Sequence, residues 1–194
     1  VELRDGEIDT RVVKEIVEAL NAAGIAERSW RVDERPEDGC VVATYVEEVA
    51  IRVCHDDNDG MFEASVGVVV PDWQYDDFAS RLGSSYDARP YIDILYFTGR
   101  GRTAAQAIGG LVRSVEEEVP RYIDAFLRLA ARLRRLAATA KDDYVANVID
   151  GTIRTYWLTA MLMLYLAELV NANIDIDSLR KKIDEIVERY REAG

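Results

Sequence analysis

Residues 40–70 read CVVATYVEEVAIRVCHDDNDGMFEASVGVVV, and their hydrophobic period decides the fold class. Phe62, Ala64, Val66, Val68 and Val70 fall at every second position, the spacing of a strand with one buried face. Upstream, CVVATYV and VAIRVC repeat the β-rich pattern and meet near Glu47 and Glu48. The acidic HDDNDG run ends in Asp-Gly, a turn signal that joins the second and third of these strands. Further upstream, RPEDG is another turn, and RSWRVDE alternates with Trp30 and Val32 on one side. Short turns between short strands predict an antiparallel meander.

A helix precedes the meander. Val12, Val13, Ile16, Val17 and Leu20 share one helical face, with Asp9 or Thr10 as cap and Gly24 as stop. Pro71 ends the meander, YDDFASRLG predicts a short helix, and YIDILYF over 91–97 predicts a fifth strand. From Thr103 the pattern is helical. Ile108, Leu111, Val112, Val115 and Val119 make one stripe, and Gly109 and Gly110 within it mark close packing of another element. Pro120 is expected to start a new helix, carried by Ile123, Phe126, Leu127, Ala130 and Leu133. TYWLTAMLMLYLAELV is apolar all round but shorter than the ~20 residues of a membrane span, so it predicts a bundle helix or a dimer interface. A last amphipathic helix is expected with Asp177 as its cap. The fold class is therefore α+β: a sandwich over 1–137, then a helical extension over 138–194.

Charge narrows the partners. The net charge is −12, with nine Lys/Arg against 22 Asp/Glu up to Thr98, and 15 against 14 from Gly99 onward. Nucleic acid and anionic lipid are repelled by such a sheet half. The opening VELRDGEIDT carries no signal pattern, so the expected location is cytoplasmic and the expected partner is a protein or a second copy. Abundant charge with only Gln74 and Gln106 is compatible with a thermophile or with a GC-rich genome, which composition alone does not separate.

Several motifs bear on chemistry. Gly99, Arg100, Gly101, Arg102 and Thr103 lie between the fifth strand and a helix, and Gly99, Gly101 and Ala104 fit G-x-G-x-x-A. A helix start flanked by arginines attracts phosphate. A second parallel strand and a P-loop lysine are both missing, so the plain reading is a strand-to-helix corner and the alternative is an anion site. HDDNDGMFEASV matches a calcium loop at Asp57, Asp59 and Gly60 but not at its first and twelfth positions, and reads as a hairpin turn. His55, the single histidine, reads as a turn residue. Asp143, Asn147 and Asp150 share a helix face but lack a matching carboxylate pair on a second helix. Arg121, Arg128, Arg132 and Arg135 form a basic stripe with Arg134 beside it, better suited to an acidic partner or to the chain's own acidic sheet than to RNA. Trp73 and Tyr75 past a strand end, and Trp157, Met161 and Leu164 in the apolar helix, are the candidate partner-binding side chains. No metal site, catalytic set or cofactor is implied.

Cys40 and Cys54 depend on register. A two- or four-residue loop sets Cys54 across from Val41, whereas a three-residue loop sets the two cysteines directly opposite. In a cytoplasmic protein two reduced thiols are expected.

The run LNAAGIAERSWRVDERPEDGCVVATYVEEVAIRVCHDDNDGMFEASVGVVVP over 20–71 resembles the YbjN-like branch of the type III secretion chaperone-like fold. There a first helix precedes a meander ending in proline, and a helix, strand and closing helix complete a sandwich. Residues 74–82, 91–97 and 103–136 take those later parts. The chain departs from the pattern in offering one strand after the second helix and in its helices beyond Ala137. The resemblance implies an acidic, non-catalytic protein-binding module, often dimeric.

Overall fold

The computed structural model describes residues 10–25, 31–35, 39–45, 49–68 and 97–191. Helix α1 (Thr10–Ala22) is followed by β1 (Arg31–Arg35), β2 (Cys40–Tyr45), β3 (Val49–Asp56), β4 (Met61–Val68) and β5 (Phe97–Gly101). Three helices then run to the end: α2 (Ala104–Thr139), α3 (Asp143–Leu169) and α4 (Ile176–Arg191). The strands form one antiparallel sheet in the order β1-β2-β3-β4-β5, and the protein is α+β as its periodicity predicts. The predicted short helix before β5, with Trp73 and Tyr75, lies outside the described residues.

Two compact units divide within α2, at Ser114 and Val115. Residue 137, the boundary expected from sequence, lies near the C-terminal end of that helix.

In the first unit, alternation along the strands turns Val41, Ala43, Ile51, Val53, Phe62, Ala64, Val66 and Phe97 into the core. Val13, Ile16 and Leu20 make the buried face of α1, which lies against β2. Its end is closed by Gly24 at φ 71°, with the Ile25 amide donating to the Leu20 carbonyl and the Ile25 side chain fully buried. That six-to-one bond with an apolar residue beyond the glycine is the Schellman closure.

In the second unit, Pro120 does not start a helix. It sits inside α2, which continues through it. Val115, Val119, Ile123, Phe126 and Ala130 form a single buried stripe on both sides of the proline. Packing along that stripe outweighs the one backbone bond that proline removes. Asp142 caps α3 by accepting from the Tyr144 amide at 2.8 Å. Asn171, at φ 56°, turns the chain out of α3. Asp175, two residues ahead of the expected Asp177, caps α4 by accepting from the Ser178 amide at 2.9 Å. Glu116 of α2 accepts from the Asn173 amide at 2.6 Å, tying the α3–α4 turn to α2. Burial raises the Tyr122 hydroxyl above the ordinary phenol value, opposed by its hydrogen bond with Thr159. Among the described residues no helix is long and apolar enough to cross a membrane.

Candidate functional site

The glycine stretch expected as a turn is a strand. Phe97–Gly101 pairs antiparallel with β4, with Gly99 opposite Ala64 and Gly101 opposite Phe62. Both glycines face α2 at very close range. A Cβ on Gly99 would lie 2.0 Å from the Leu111 amide nitrogen and 2.1 Å from the Ala107 carbonyl oxygen. A Cβ on Gly101 would lie 2.4 Å from the Gln106 Cβ, and one on Gly110 only 3.2 Å from the Gly99 Cα. These are strand glycines selected because another backbone approaches closely. Of the helix pair, Gly110 marks the contact anticipated from sequence, while a Cβ on Gly109 would meet only the end of Arg113 at 3.7 Å.

Three amides at the start of α2, those of Arg102, Ala104 and Gln106, have acceptors within the protein. Thr103 Oγ1 accepts from the Gln106 amide at 3.2 Å, and Gln106 Oε1 accepts from the Arg102 amide at 3.0 Å. Thr103 is thus the N-cap, and Gln106 reaches back past it to the preceding residue, a displaced form of the capping box. Glu15 of α1 places a carboxylate oxygen 3.1 Å from the Ala104 amide, so an acidic side chain occupies the positive end of the helix. Arg100 points its guanidinium to Asp59 in the β3–β4 turn. The geometry of Gly99–Thr103 thus builds a strand-to-helix corner in which Arg100 and part of the helix start are engaged by the protein's own side chains.

The HDDNDG stretch folds as a hairpin turn, with Asp56 opposite Met61. Asp56 accepts from the backbone amide and side chain of Asn58, both at 2.9 Å, and those hydrogen bonds hold its carboxyl below the usual value. Asp59 accepts from the Met61 amide, and Gly60 takes φ 67°. His55 Nδ1 lies 2.9 Å from Asp57, and the ring tilts against Phe62. Every group in the turn has work in holding it. Among the described residues no three His, Cys, Asp or Glu side chains are grouped to hold a metal ion.

Cys40 and Cys54 are not reduced thiols: they form a disulfide. Tyr45 pairs with Val49, so three residues separate the strands and Cys40 falls opposite Cys54. The neighbouring bond from the His55 amide to the Gly39 carbonyl makes the cysteines a non-hydrogen-bonded pair, the closer kind, with Cα atoms 4.1 Å apart. Arg52 lies over the bridge, its Nε 3.1 Å from the Cys54 sulfur.

Helix α3 separates the partner-binding candidates. Ala160 and Leu164 are fully buried and Met163 nearly so, so this face belongs to the unit's own core. Trp157 and Met161 are half-buried. The exposed apolar residues of this helix are Tyr144 at 73 %, Val148 at 52 % and Leu158 at 59 %, with Val145, Tyr156 and Tyr165 also exposed. Of these, Tyr144, Val148, Leu158 and Tyr165, together with Gly151, Thr155 and the half-buried Leu162, step by four and three alternately from 144 to 165, which is a seam of coiled-coil period. Thr155 belongs to it because its hydroxyl donates back to the Gly151 carbonyl at 3.0 Å, leaving the methyl as its outward surface. A Cβ on Gly151 would meet nothing within 4 Å, so the seam has a recess at that point. The alternating spacing is present in the sequence; an apolar run on every side of the helix conceals which stripe is used. No family model, curated protein or solved structure matches this chain.

Proposed function

We propose that the protein is a non-catalytic, chaperone-like protein-binding module that works as a homodimer paired through α3. The observation that carries this reading is the exposed seam from Tyr144 to Tyr165. It is self-complementary. Setting a second α3 against the first in the opposite direction, with Thr155 on the two-fold axis, brings Leu158 opposite Gly151. The same alignment sets Val148 opposite Leu162 and Tyr144 opposite Tyr165. Large side chains then meet the recess, and each contact occurs twice, as an isologous interface requires. Opposed helix directions also set the positive end of each dipole beside the negative end of the other. The proposed location is the cytoplasm of a thermophile, where a disulfide persists.

Sedimentation velocity tests the pairing. Wild type should run at the dimer mass, and Leu158→Glu should weaken association at least about thirtyfold while circular dichroism stays unchanged. Oxidised Thr155→Cys should cross-link with itself. Tyr144→Cys should cross-link only when mixed with Tyr165→Cys. A monomeric wild type at every concentration, or Leu158→Glu that still runs as a dimer, refutes the pairing.

A further inference from the structure

The second unit holds a cavity of about 980 Å³ among α2, α3 and α4. That is the size of a small-molecule site, commonly ~300–1,000 Å³. Its apolar wall is Phe126, Ala130, Ile153, Trp157 and Ile186. Four arginines also line it, Arg134, Arg135, Arg154 and Arg189, against one carboxylate, Asp150. Asp150 is engaged, because Arg154 Nε donates to it at 2.9 Å. Among the described residues Arg134, Arg135 and Arg189 make no ion pair. In a chain of net charge −12, three guanidiniums that make no ion pair among the described residues line one cavity, a local excess of positive charge. Trp157, on the apolar wall, has a buried Nε1 for which no acceptor lies among the described residues. Buried indole N–H groups ordinarily find one.

We propose that this cavity binds a long-chain amphipathic anion. The hydrocarbon tail lies along Phe126, Ala130, Ile153 and Ile186, and the carboxylate or phosphate head meets the forked donors of Arg134, Arg135 and Arg189. Guanidinium groups suit this head because their planar donor pairs match the two oxygens of a carboxylate or phosphate. Tail and head are both required: the arginines alone would accept any anion, and the apolar wall alone any oil. None of the seam residues on α3 lines the cavity, so this proposal does not rest on the homodimer.

Calorimetric titration of the full chain with laurate, below its micelle-forming concentration, tests it. Dodecyl phosphate, dodecyltrimethylammonium, dodecanol and acetate complete the series. Laurate or dodecyl phosphate should bind one per chain, and the stronger of the two identifies the head. Dodecanol and the cationic amphiphile should bind at least about tenfold more weakly, and acetate should give no saturable heat. Arg134→Gln/Arg189→Gln should weaken the anion about tenfold or more and leave dodecanol unchanged. Ala131→Trp, a filling change from an exposed position on the cavity wall, should abolish binding of both in a chain that stays folded. Equal affinity for the cationic amphiphile, binding undiminished in the filled variant, or no saturable heat from either anion overturns the proposal.

Discussion

The two units use apolar surface in opposite ways. In the first, the face of the sheet made by Val41, Ile51, Val53 and Ala64 is consumed by the chain's own packing, and backbone meets backbone where Gly99 approaches α2. In the second, α3 is apolar around most of its circumference, yet Ile153, Ala160, Leu164 and Ala167 are turned inward while Tyr144, Val148 and Leu158 face out. A region already fully packed offers little to a partner. A region that leaves a periodic apolar stripe in water is where a partner gains most.

The largest expected effect breaks the first region. Gly99→Ala puts a methyl group inside the van der Waals radius of the Leu111 nitrogen and the Ala107 oxygen. Both atoms belong to helix backbone and cannot rotate away, so the change should cost about 3 kcal/mol or more. Urea denaturation should show the loss; a variant as stable as wild type would mean that the helix does not lie so close.

Next comes the bridge. The disulfide closes a loop of sequence separation 14, for which chain entropy gives about 3 kcal/mol. Cys40→Ser/Cys54→Ser should lower the denaturation midpoint accordingly, and reductant should then have no further effect. If reductant leaves wild type unchanged, the bridge contributes nothing to stability.

The smallest effect sharpens the comparison from the other side. Gly151 is also a glycine within a regular element, but its Cβ would meet nothing. Gly151→Ala should therefore stabilise α3 by about 1 kcal/mol through helix propensity. The same substitution fills the recess opposite Leu158, so it should weaken self-association while raising the melting temperature. Both changing in the same direction would argue against the antiparallel seam.

Much of the first unit was legible in the sequence. Alternation in β4 placed Phe62, Ala64 and Val66 inward before any geometry was known, because period two has no other explanation in a short run. β5 was not legible as far as Gly101, since glycines read locally as a turn and only the approach of α2 explains them in a strand. The cysteine pairing hung on one residue of loop length, a choice that composition does not make. Pro120 misled for a related reason: a local helix-start signal was overruled by a buried stripe running from Val115 to Ala130. On α3 the run of apolar residues announced an unusual helix but gave no phase. Leu164 and Leu158 look alike in sequence, and only packing distinguishes the core residue from the exposed one.

Helix α2 has a consequence for how such a chain is inherited. Domains are shuffled between genes most readily where the junction is an exposed linker, because a cut there destroys no packing. Here the junction at Ser114 and Val115 lies inside a 36-residue helix, with Leu111 buried on one side of it and Val119 on the other. A recombination event at that point would split a single hydrogen-bonded rod and leave each half with an unpacked end. Exchange of the sheet unit without the helical unit is therefore disfavoured at this junction.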